Sequence, residues 1–220
     1  MIRPFGEAAL LVETDSAGRA QALAATVRDA PIPGVVASVP GLESLLIELD
    51  PLEADVDAVR VELERRLGMP AALVVTGRMR AIPVVYGGEM GPDLPDVAAL
   101  TGLSDAEVVA RHAETDLRVL FDGFAPGFAY CGELPSDLRV PRLDTPRTRT
   151  PAGSVAIAGA MSGIYPAALP GGWRVIGRTP VVLFDPRRHP PAYLLPGDRV
   201  RFEPIAAGEW ERHVGPPGDW

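Results

Sequence analysis

Lysine is absent: all 21 basic residues among the 220 are arginine. A Walker A loop sets a lysine against its phosphates, and a Schiff-base enzyme needs one as nucleophile. Neither site is built from this chain, although base composition alone also produces such a bias. Cysteine is nearly absent. The single Cys131 cannot form an internal disulfide, which fits a reducing compartment. No apolar run approaches the ~20 residues that span a bilayer. The opening MIRPFGEAALLVETD lacks the unbroken apolar stretch of a signal peptide. Positive charge is in deficit: the net charge of −8 disfavours nonspecific binding to nucleic acid or an anionic membrane. A cytoplasmic protein without nucleic-acid or membrane partners is therefore expected. There is no HExxH, no CxxC pair, no GxSxG and no GxGxxG after a strand. His189 and His213 lack ligand spacing, so no metal site is expected.

What is present is globular: 47% apolar residues, with 24 prolines and 23 glycines that call for many turns. Residues 1–78 read as a small α/β domain. AALLVET (8–14) predicts a strand, and SAGRAQALAATVRDA (16–30) a helix capped by Ser16. GVVASVP and ESLLIEL predict two strands around a Pro40–Gly41 turn. Residues 53–68 carry apolar side chains at 56, 59, 63 and 67, the spacing of an amphipathic helix that Gly68 stops. ALVVTG (72–77) offers a further strand. The pattern predicts a split-βαβ layer with helices on one face.

GRMRAIP (77–83) reads as the junction to a second domain over 79–206. Pro95 fits a first helical turn and Gly102 a stop. Ser104 and Glu107 have capping-box spacing. Beyond residue 115, short β-rich runs (LRVLF, SVAIAG, WRVIG, PVVLF, RVRFEPI) alternate with Gly/Pro turns, which predicts a closed antiparallel barrel or a sandwich. Residues 207–220 read as a loose tail whose Trp210 and Trp220 could dock on the body or on a partner.

Four segments carry candidate chemistry. In GFAPGFAY (123–130), Phe124, Phe128 and Tyr130 could wall an apolar pocket, with Gly127 admitting close backbone approach; the same rings would equally serve as barrel core. In PRLDTPR (141–147), Arg142 and Arg147 each follow a proline that stiffens the anchor. They could hold a carboxylate or phosphate, or bridge to surface acids such as Asp144. In PAGSVAIAG (151–159), the N–H groups around Gly153 and Ser154 could cradle an anion, or the turn could simply lead into a strand. PGGW (170–173) reads as a glycine turn before a core-plugging aromatic. His112, late on its helix, is a candidate acid or base, or a structural histidine.

Taken in order, IPVVYGGEMGPDLPDVAALTGLSDAEVVARH, GFAPGFAY, the two Pro–Arg pairs, PAGSVAIAG, GIYP, PGGWRVIGRTP and PGDRVRF resemble the B-subunit family of bacterial 5-oxoprolinase. That family is also known as allophanate hydrolase subunit 1 and as KipI-type kinase inhibitors. The likeness covers about 80–205 by motif and the N-terminal part by layout. It implies an α+β protein: an N-terminal α/β domain, then a cyclophilin-like antiparallel β-barrel. It also implies two partners, the C and A subunits of the same enzyme. The assembly would open the lactam 5-oxoproline to glutamate at the expense of ATP, with this chain inactive alone. ATP is expected at a site shared with or supplied by those partners. Two alternatives come with the family: a carboxyltransferase component of a biotin-dependent urea or amide carboxylase, and an inhibitor of a sensor histidine kinase. The carried-over positions are Asp93, His112, Gly123, Phe124, Pro126, Gly127, Phe128, Arg142, Arg147, Gly153 and Ser154. Departures are Cys131, in place of a larger apolar residue, and Met161–Ser162, in place of a Gln–Thr pair.

Overall fold

The computed structural model describes residues 1–69, 77–218 and 220. The strand anticipated over 72–77 falls almost entirely outside them. The chain divides into two compact units, Met1–Gly77 and Arg78–Trp220.

The first unit runs β1 (Ile2–Pro4), β2 (Ala9–Glu13), α1 (Ala17–Asp29), β3 (Val35–Pro40), β4 (Ser44–Leu49) and α2 (Val56–Gly68). The sheet order is β1-β2-β4-β3, antiparallel throughout. Because β4 pairs between β2 and β3, the β2–α1–β3 crossover is the split-βαβ unit that the sequence pattern predicts. The Ser16 hydroxyl accepts from the Arg19 N–H, and the Asp55 carboxylate from the Ala58 N–H, which starts each helix. Leu10, Val12, Leu45 and Ile47 alternate onto one sheet face, where Leu23, Val27, Val59 and Leu63 of the two helices meet them. β1 escapes the sequence reading because it is three residues long and ends in proline.

The second unit opens with β5 (Met79–Tyr86), α3 (Leu94–Thr101) and α4 (Asp105–Glu114). β6 (Leu117–Asp122), β7 (Ala129–Gly132), β8 (Arg147–Thr150), β9 (Ser154–Ala158) and β10 (Met161–Ile164) follow. β11 (Leu169–Gly171), β12 (Arg174–Arg178) and β13 (Arg199–Pro204) complete the strands. Seven of them close a barrel in the order β10-β7-β6-β13-β5-β12-β9, with β9 rejoining β10. The barrel is mixed rather than purely antiparallel, because β5 and β13 run parallel. The supposed junction 77–83 is mostly β5. Proline fits there because β12 pairs with β5 only at Val85 and Tyr86, so Pro83 is not asked to donate on that side. PVVLF forms isolated bridges at Val181 and Phe184 instead of a strand.

β9 is buried at all five positions. Val155 and Ile157 join the barrel core, while Ala156 and Ala158 underlie a second cluster of Phe128, Tyr165, Trp173 and Val175. An aromatic layer therefore covers the outer wall of the barrel. The tail is not loose. Val181 bridges Gly215, the Arg178 guanidinium lies 5.7 Å from the Trp210 ring centroid, and Trp220 packs 5.7 Å from the Tyr193 ring and donates to the Pro190 carbonyl.

Candidate functional site

On that aromatic layer lies a cavity of about 290 Å³, lined chiefly by Phe124, Phe128, Tyr130, Tyr165 and Trp173, with Arg142 on one side. Its walls come from the 123–130 loop, from Tyr165 with the turn 170–173, and from Arg142 and Pro146. It sits against the flank of the barrel, not at its mouth. Phe128 is the hub: Tyr165 and Trp173 stand edge-on to it with centroids 5.3 and 5.8 Å away, and Tyr130 leans on it at 4.9 Å. Edge-to-face rings of this spacing hold one another in place. The Tyr165 hydroxyl occupies the space that a Cβ on Gly171 would need, only 2.1 Å away, which is why glycine stands there. Burial raises the Tyr165 and Tyr130 phenols above their ordinary range, so both stay protonated.

Arg142 is held by its neighbours rather than by partners of its own. The Arg174 guanidinium donates to the Pro141 carbonyl at 3.0 Å, and the Leu143 N–H donates to the Gly172 carbonyl at 2.7 Å. The backbone on both sides is thus tied down. Among the described residues the Arg142 side chain has no hydrogen bond and no ion pair, Asp144 included. It offers an exposed, unpaired cation on a tied-down backbone beside an aromatic cavity.

Arg147 behaves differently. Its Nη2 donates to Asp93 Oδ1 at 2.6 Å, while Asp93 Oδ2 accepts from the Val175 N–H at 2.7 Å. Asp93 is buried, and it ties β8 to β12 from the start of α3. Arg147 braces the wall from outside the lining, so the expected pair of arginines contributes one free cation and one strut.

Three other expectations are corrected. Both N–H groups of the 153–154 turn are occupied: Gly153 donates to the Tyr165 carbonyl at 2.7 Å and Ser154 to that of Pro151 at 3.3 Å. Gly153, at φ +79°, is required because a Cβ would meet the Thr179 carbonyl oxygen at 2.2 Å. This turn leads into a strand and cradles nothing. Gly127, at φ +80°, packs its Cα against Phe184 and not against the cavity. His112 is wholly buried, with Nδ1 2.8 Å from the Tyr86 hydroxyl, Nε2 2.9 Å from the Ser162 hydroxyl and its ring stacked on Phe202. Burial pushes its pKa down to about 3, so it is a neutral histidine of the barrel interior, not an acid or base of the cavity. Ser162 supplies the hydroxyl that this histidine meets, which accounts for a small hydroxyl residue at that position.

Tyr165 and Trp173 are the lining residues that sequence reasoning missed. Both lie in the segment YPAALPGGW, where aromatics flank glycines and prolines as they do in GFAPGFAY. Among the described residues, no three His, Cys, Asp or Glu side chains group as metal ligands, and no helix is long and apolar enough to cross a membrane.

Comparison with known proteins places this arrangement. The model of the carboxyltransferase domain, subdomain C and D, matches residues 1–194. The chain is 47% identical to the B subunit of 5-oxoprolinase from Escherichia coli O157:H7 over 80% of its own length and 81% of that protein. It is 38% identical to the B subunit of 5-oxoprolinase from Bacillus subtilis over 97% of this chain and 92% of that one. Among solved structures, TTHA0988 superposes with a TM-score of 0.80 at 38% identity over 94% of this chain. The chain spans only 41% of that protein's length. The urea carboxylase of Kluyveromyces lactis superposes with a TM-score of 0.75 at 21% identity, over 96% of this chain and 22% of that one, a likeness of fold alone. With the family model running through both units and the curated relatives matched along most of their length, the chain belongs to the B-subunit family of 5-oxoprolinase, built on carboxyltransferase subdomains C and D.

Proposed function

We propose that this chain is the B subunit of an ATP-dependent 5-oxoprolinase and that the cavity on the barrel flank receives the lactam. The observation that carries the reading is Arg142: a guanidinium without a partner among the described residues, its backbone tied on both sides, beside a small aromatic cavity. 5-Oxoproline is a small ring bearing a carboxylate. The cation suits the carboxylate, and the aromatic faces suit the ring.

The aromatic cavity does not by itself fit a triphosphate. The chain has one free arginine at the cavity and no lysine, and the N–H groups of its glycine–serine turn are already bonded. ATP would then bind at a site shared with or supplied by the partner A and C subunits, and this chain would be inactive alone. Within the assembly, its residues bind and orient the lactam and exclude water from one side of it.

The test is reconstitution with the A and C subunits, measuring ATP-dependent glutamate release. Loss of turnover when this chain is omitted is expected. Arg142→Ala should lower kcat/KM about 10- to 100-fold, the worth of one charge-assisted hydrogen bond. Its thermal stability should be unchanged, because the Arg142 side chain bonds to nothing among the described residues. Full turnover without this chain would overturn the assignment.

A further inference from the structure

Phe124 stands apart from the other cavity residues. It is the one non-glycine among the described residues with a positive φ, +67°. A bulky side chain rarely adopts that conformation, and it persists only where surrounding structure imposes it. Here the loop does so. Gly123 N–H donates to the Phe128 carbonyl at 3.2 Å, Ala125 N–H to that of Gly123 at 2.7 Å, and Phe128 N–H to that of Ala125 at 3.0 Å. Gly127 is wedged on Phe184, as described above. The strained backbone aims the ring outward: Phe124 is 58% exposed, yet it meets Phe128 and Tyr165 edge-to-face, with ring centroids 5.3 and 6.4 Å apart. A glycine at 124 would remove the strain, and a polar residue would suit the exposure. Neither is present.

We propose that Phe124 is an aromatic clamp, a specificity-determining residue that lies over the ring of a cyclic carboxylate whose carboxylate Arg142 holds. The inference rests on the reading of the cavity as the lactam's site. The ring completes the aromatic enclosure from its open side, so it favours a flat cyclic ligand over an open-chain one bearing the same groups. Arg142 serves both kinds of ligand alike, and Phe124 separates them.

The experiment uses the reconstituted assembly and two probes, 5-oxoproline and the open-chain N-acetylglycine, with dissociation constants from competition and tryptophan fluorescence (Trp173 lies in the wall). Phe124→Ala should weaken 5-oxoproline about tenfold and N-acetylglycine less than twofold. Arg142→Ala should weaken both. Phe124→Gly should bind like Phe124→Ala but melt about 2–4 °C higher, because glycine alone tolerates the imposed φ. If Arg142→Ala weakens both probes and Phe124→Ala weakens neither, the clamp is wrong while the cavity assignment stands. If Arg142→Ala weakens neither, or the wild-type assembly binds neither, the cavity assignment fails and the clamp with it. Weaker assembly with the partner chains in Phe124→Ala, with ring binding unchanged, would make the residue a docking contact and overturn the clamp.

Discussion

At the scale of single residues, the buried charges divide into those that hold the fold and those whose protonation it controls. Asp93 belongs to the first kind. Asp93→Ala leaves Arg147 and the Val175 N–H without their acceptor, and removal of one buried partner should cost about 3 kcal/mol. Urea denaturation checks this, and KM for the lactam should rise as the braced wall loosens. Buried His112 and half-buried Asp122 belong to the second kind. His112 titrates at about 3 in the folded chain against 6.5 when free, because burial disfavours its charged form. The unfolded chain binds the extra proton between those values, so this contribution is complete above pH 6.5 and is lost as pH falls toward 3. Asp122 has the opposite sign. Burial, then the nearby Asp198 carboxylate, raises it from 3.8 to about 7, so its contribution is complete below 3.8 and is lost as pH rises through 7. Thermal melts from pH 4 to pH 8 should show Asp122→Asn gaining on the wild type as pH rises toward 7, then levelling. A constant offset between the two would contradict the assignment.

At the scale of elements, legibility follows from where the sequence carries a local signal. The start of α4 is readable to the residue, because both halves of its capping box form: Glu107 accepts from the Ser104 N–H at 2.8 Å, and the Ser104 hydroxyl accepts from the Glu107 N–H at 3.3 Å. β5 was not readable. Pro83 and the nearby arginines argue against a strand, and only the incomplete pairing with β12 makes it possible. The aromatics of the 123–130 loop left wall and core open, and Phe128 is both, buried in the second cluster while lining the cavity; Arg147 was not legible as a strut, since its partner Asp93 lies 54 positions away. The tail misled for a similar reason: its tryptophans find partners through the fold, not through neighbours. Deletion of 207–220 removes the Trp210 and Trp220 contacts and the bridge to Val181. The melting temperature should fall by about 4–8 °C, near 2 kcal/mol for a chain of this size, whereas a dispensable tail would leave it unchanged.

At the scale of the whole molecule, strand density leaves a barrel or a sandwich open, the family resemblance implies an α+β chain with an antiparallel barrel, and the structure adds one parallel strand pair to that barrel among the described residues. That pair joins the first strand of the second unit to its last, Met79 beside Arg199 and Val84 beside Pro204. β13 also seats against β6, at Leu117 and Arg118. The ring therefore lacks a stave until residue 204 has been synthesised, and β5 and β6 each wait with an open edge. Closure of so long a loop is entropically slow. On the ribosome, the N-terminal unit can be complete while the barrel is still unclosed, and the interval between the two is when the nascent chain is most exposed to edge-to-edge aggregation.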